Sequence, residues 1–131
     1  MSLTRSELRE KIMIILYQIE IYKVNSISYE LDTVIKENME LENDFVKEIV
    51  YGVTMSIDKL DEEADKYMKE WSIKRIDRTG ASILRMAIYE LKNTDTPEIV
   101  VINEAVELAK KYSDDSVRKI INAVLDRMIE E

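Results

Sequence analysis

The sequence predicts an all-α protein, a single bundle of six to seven helices. Three observations carry that expectation. Apolar residues recur at spacings of three and four along nearly the whole chain, the period of a helix with one buried face. Only two glycines and one proline occur in 131 residues, which leaves few hairpin turns and room for long helices. There is no cysteine, so the core must come from apolar burial rather than from disulfides. A chain of this length can build such a core alone, and one domain over residues 1–131 is expected.

Each element follows from its local pattern. In LREKIMIILYQIEIY, residues Leu8, Ile12, Ile15, Leu16 and Ile19 form one stripe. Thr4 with Glu7 three positions later is a capping box, so the first helix is placed at about 5–23. VNSIS breaks the pattern, and Tyr29, Leu31, Val34 and Ile35 define a short second helix. Asn43 or Asp44 caps the next stripe, which runs from Phe45 to about residue 69 as one helix or as two with a bend after Gly52. EWSIKRIDRTG reads as a short helix and a turn. Thr79 is the expected cap of the following helix, with Ile83, Leu84, Ala87, Ile88 and Leu91 inward to about residue 92. Thr96 as N-cap and Pro97 as first helical residue start a helix to about 112, whose stripe is Ile102, Ala105, Val106, Ala109 and Tyr112. Glu107 and Lys111 form an i,i+4 pair on its other side. SDDS caps a final helix with Ile120, Ile121, Val124, Leu125 and Met128 inward.

Composition narrows the function. Without histidine or cysteine, the usual general base, thiolate nucleophile and metal ligands are missing. The two glycines form no phosphate loop. Asp61–Asp65 (DEEAD) could draw in a hard cation but reads first as a solvated helix face. An enzyme is not expected, nor any cofactor or metal. No apolar run approaches the length of a membrane span and the N-terminus is too charged for a signal peptide, so a cytoplasmic protein is expected. The net charge of −8 argues against a surface that binds polyanions everywhere. The acidity is concentrated, however. Residues 28–70 carry 13 acidic against 5 basic side chains, whereas residues 71–93 carry 5 basic against 2 acidic.

Binding surfaces remain. Arg5 and Arg9 lie one helical turn apart, with Lys11 nearby. Lys74, Arg75 and Arg78 cluster before the fifth helix, and Arg118 and Lys119 begin the last one. These are either ordinary surface charge or a phosphate-contacting patch. Tyr17 is either a core tyrosine or a ring on which a base stacks.

The segment ILRMAIYELKNTDTPEIVVINEAVELAKKYSDDSVRKIINAVLDR resembles the C-terminal half of the NusB family of transcription antitermination factors. The matching elements are Leu84–Leu91, Pro97 followed by Ile102–Ala105, Glu107–Lys110 and Asn122–Asp126, in order and at matching spacing. LREKIMIILYQ is similar to the family's first helix, and FVKEIVYGV followed by LDEEA to its third. The likeness covers nearly the whole chain.

The resemblance implies two small helical subdomains. It also implies an RNA-binding adaptor that pairs with the ribosomal protein NusE on boxA-type RNA of nascent ribosomal transcripts, within the antitermination complex on RNA polymerase. By the same resemblance, Arg5, Arg9, Tyr17, Lys119 and Ile120 fall on RNA-contacting positions, and Gly80 and Ala81 near the NusE-facing region. This chain departs from the family at Ser6 and Glu7, at Gly80-Ala81, and at Ile120, where phenylalanine is common. Those departures imply weaker RNA affinity, stronger dependence on the partner, or a protein-binding adaptor that has lost RNA. A third role, the N-terminal part of a ribosomal RNA cytosine-5 methyltransferase, would need a further domain beyond residue 131 and is not expected. Relatives occur as monomers and as homodimers. Asn103 and Glu104, polar in an otherwise apolar stretch, are expected at an inter-helix contact as a hydrogen-bonded pair.

Overall fold

The computed structural model describes residues 2–130 and contains seven helices and no strand among them. They are α1 (Arg5–Val24), α2 (Leu31–Asn38), α3 (Asp44–Met55), α4 (Ile57–Lys66), α5 (Arg78–Asn93), α6 (Glu98–Tyr112) and α7 (Asp115–Ile129). Helices α1, α2 and α3 pack together, while α4, α6 and α7 gather on α5, which also touches α1 and α3. The result is two small helical groups sharing one central helix. From Gly80 to Ile88 every residue of α5 is buried. The core contributed around it includes Ile12, Ile15, Val46, Ile49, Val101, Ala109, Ile121 and Leu125.

The caps explain why the helices begin where they do. Thr4 Oγ1 accepts from the Glu7 N–H at 3.1 Å while Glu7 Oε1 accepts from the Thr4 N–H at 2.8 Å, which completes the expected capping box. Asn43 caps α3 through the Val46 N–H, and Asp114 caps α7 through the Val117 N–H. Helix α1 ends in a Schellman motif: the Ile27 N–H donates to Tyr22 O and the Ser26 N–H to Lys23 O, with Ser26 at φ 54°.

Four local expectations are corrected. The long stripe after Phe45 is two helices, broken at Ser56 rather than just after Gly52. Residues 70–77 form turns and no helix, because Asp65 Oδ1 accepts the Ile73 N–H at 2.8 Å and ties the segment back to α4. Asp77, not Thr79, caps α5, accepting the Gly80 N–H at 2.9 Å. Pro97 is the N-cap of α6 and Glu98 its first residue, and Thr96 gives no side-chain cap.

Gly52 serves a close approach. A Cβ built there would overlap the ring of Tyr89. Helices α3 and α5 meet over that ring because residue 52 has no side chain.

Candidate nucleic-acid interface

The basic residues at the start of α1 divide sharply. Arg5 is exposed, and its guanidinium carbon sits 4.0 Å from the centroid of the Phe45 ring. That cation–π contact steadies the side chain at the surface. Arg9, one turn later, is 4% exposed. Its Nε and Nη2 donate to the two oxygens of Glu90 at 3.0 and 2.5 Å, and Nη1 donates to Glu104 Oε1 at 3.3 Å. Donation to Glu90 raises the Arg9 pKa further, so the group is a permanent cation. Arg9, expected on the RNA-contacting face, is thus placed in the interior. Its donors are directed into α5 and α6, and its face is the interior.

Glu104 lies at an inter-helix contact. Its Oε1 accepts from Arg9 and from the Ser6 hydroxyl at 2.5 Å, so it ties α6 to the first turn of α1. The expected polar pair is half right, because Asn103 is exposed. A second buried arginine works the same way. Arg85 donates through Nε and Nη2 to Asp61 at 2.7 and 3.1 Å and through Nη1 to Glu20 at 3.0 Å, joining α5 to α4 and α1. Burial opposes its charge, but Asp61 and Glu20 outweigh that and raise its pKa. Asp61 is thus no part of a solvated face, and Asp65 caps the 70–77 turns. Among the described residues no group of three or more acidic side chains is placed to hold a metal ion.

At the other end, Lys119 and Ile120 lie on the first turns of α7. Lys119 Nζ is 3.5 Å from Asp115 Oδ2, with both side chains about two-thirds exposed. Such a pair is worth little in water and yields readily to a phosphate. Ile120 is half-buried and lines a groove with Lys119, Met68, Lys69, Trp71 and Arg127. Tyr17 is 37% exposed on α1. It shares neither the Phe45 contact nor this groove.

Gly80 and Ala81 do not face outward. Both are buried, and a Cβ at Gly80 would stand 2.6 Å from Val117 Cγ1. At Gly80 the missing side chain lets α5 approach α7 closely. The Glu107–Lys111 pair is also replaced. Lys111 reaches Glu10 on α1 at 2.8 Å, and Glu107 pairs with Lys110.

Sequence reasoning missed Phe45 and Trp71. Each is the only residue of its kind in the chain, and that rarity beside charged neighbours was the available signal.

Known proteins share the sequence and the fold of this chain. The sequence model of the NusB family matches residues 6–130. The chain is 41% identical over 127 residues to the transcription antitermination protein NusB of Staphylococcus carnosus, covering 96% of this chain and 99% of that protein. Its fold is similar to T. maritima NusB, with a TM-score of 0.85, 28% identity, and coverage of 100% of this chain and 94% of that one. It shares the fold, at a TM-score of 0.78 and 24% identity over 96% of each chain, with a structure of the antitermination factors NusB and NusE in complex with dsRNA. With its seven-helix arrangement and end-to-end sequence match, this chain belongs to the NusB family.

Proposed function

We propose that the chain acts as a transcription antitermination factor, one domain that binds boxA-type RNA of nascent ribosomal transcripts together with NusE. In this reading it serves the antitermination complex on RNA polymerase in the cytoplasm as an adaptor and not as an enzyme. The observation that carries the reading is likeness over nearly the whole chain to antitermination proteins. No helix among the described residues is long and apolar enough to cross a membrane.

The RNA-facing set is Arg5, Tyr17, Lys119 and Ile120. Arg5 and Lys119 supply phosphate contacts, Tyr17 a stacking face, and Ile120 an apolar edge. Arg9 acts through others: it fixes the helix that presents Arg5. The acidic residues 28–70 keep polyanions off the rest of the surface.

The test is a titration of a boxA-like RNA, alone and with NusE, at two salt concentrations. Affinity falls with salt, and Arg5→Ala and Lys119→Ala each lower the slope of log K against log salt by about 0.7, the value per phosphate contact on a single strand. NusE binding with no RNA binding in any mixture would overturn the RNA reading and leave a protein-binding adaptor.

A further inference from the structure

The groove beside Lys119 contains more than the two residues that the family likeness marks. It measures about 410 Å³ and runs between the segment after α4 and the outer face of α7. Its floor is apolar, made by the buried Met68 and Val124 with Ala123 and Ile120. Its rim carries three cations, Lys69, Lys119 and Arg127, against one carboxylate, Glu70.

Trp71 stands in this groove 47% exposed. A large ring left half in water in a chain of 131 residues asks for an explanation. Arg75 lies 6.0 Å from its centroid and holds its own Nη1 on Glu70 O at 3.4 Å. Arg127 is fixed by the bond from its Nη1 to Tyr67 O at 2.6 Å. Lys69 adopts φ 51°, an uncommon backbone for lysine.

We propose that Trp71 is a nucleobase-stacking residue, and that this groove holds a single-stranded stretch of RNA with Lys69 and Lys119 on the flanking phosphates. The inference rests on the RNA-binding reading above and extends its surface from α7 onto residues 69–71. Charge chooses the occupant. In a chain of net charge −8, a groove with three cations on its rim and one carboxylate suits a polyanion. The aromatic face with an apolar floor suits bases rather than bare phosphate. Stacking of this kind tolerates any base, so Trp71 contributes affinity and Lys119 contributes register.

Trp71 is the chain's only tryptophan, so its emission reports on this groove alone. The experiment follows a fluorescein-labelled boxA-like RNA by anisotropy, with and without NusE, and in parallel follows tryptophan emission of the chain as unlabelled RNA is added. Stacking quenches Trp71 along the binding curve. Trp71→Ala weakens binding about 5- to 140-fold and Trp71→Phe keeps most of it, with both variants checked for an unchanged urea midpoint. If RNA binds while Trp71 emission stays constant and Trp71→Ala binds as well as wild type, the stacking role is overturned and the RNA-binding reading stands. If no anisotropy change occurs with or without NusE, the RNA-binding reading itself fails, and this proposal with it.

Discussion

Two sets of cations in this molecule have opposite fates. Arg9 and Arg85 are buried, and each spans two carboxylates on other helices. Arg5, Lys69 and Lys119 stay at the surface, and the Arg5 guanidinium lies over the Phe45 ring. Arg5 and Arg9 lie one turn apart on the same helix, and only the second turns inward. The difference teaches that a basic pair in a sequence is not a basic patch. A buried guanidinium with full hydrogen bonding fixes how helices cross and offers nothing to a ligand. The exposed group costs little to keep and remains available.

Removing the buried cation has the largest expected effect. Arg9→Ala strands Glu90, which is 2% exposed, without its partner. Loss of one partner from a buried pair costs about 3–5 kcal/mol, read as a lower urea midpoint. Adding Glu90→Leu to an Arg9→Met background recovers much of that loss, because the orphaned charge is gone. An Arg9→Ala protein of full stability would erase the distinction between the two sets.

A smaller effect comes from acid. Thr4 backbone and side-chain bonds hold Glu7 below its ordinary 4.5, a bond from Lys111 lowers Glu10 from the same value, and the Val117 N–H holds Asp114 below 3.8. A carboxylate with a lowered folded pKa stabilises the fold above its ordinary pKa and loses that contribution as pH falls through the lowered value. Stability is therefore level between about pH 6 and pH 8, where no histidine titrates, and declines below about pH 4. Urea midpoints across that range check it, and a step near neutrality would contradict it.

The smallest effect belongs to an exposed pair. Lys111 meets Glu10 across α6 and α1, but both side chains are solvated. Lys111→Ala leaves the urea midpoint unchanged, and it removes the bond that lowers Glu10, so the Glu10 titration moves up toward 4.5 by NMR.

Much of the fold was legible because its signals are local. The stripe of α1, the Thr4 capping box and the Asn43 and Asp114 caps depend on residues within four positions of each other. The errors lie where a distant contact decides. Residues 70–77 have helix-compatible composition, yet the Asp65 bond to Ile73 holds them as turns. Asp77 overrides Thr79 as cap, and it also accepts from Ser113 on the far side of α6 at 2.9 Å. The candidate site was legible in residue type but not in orientation. Arg9 is separated from Glu90 by 81 positions and from Glu104 by 95. No periodicity links them, and only the packed bundle shows that they meet. Gly80 read only as a departure from the family, whereas a side chain there would press on Asp77 and Val117.

The burial of α5 along Gly80–Ile88 separates two kinds of change that the molecule can undergo. Substitution there is felt by several neighbouring helices at once, so that stretch has little freedom to drift. Arg5, Tyr17, Trp71 and Lys119 stand at the surface, where a replacement leaves the buried frame intact. Surface positions of this bundle can therefore change while its centre stays fixed.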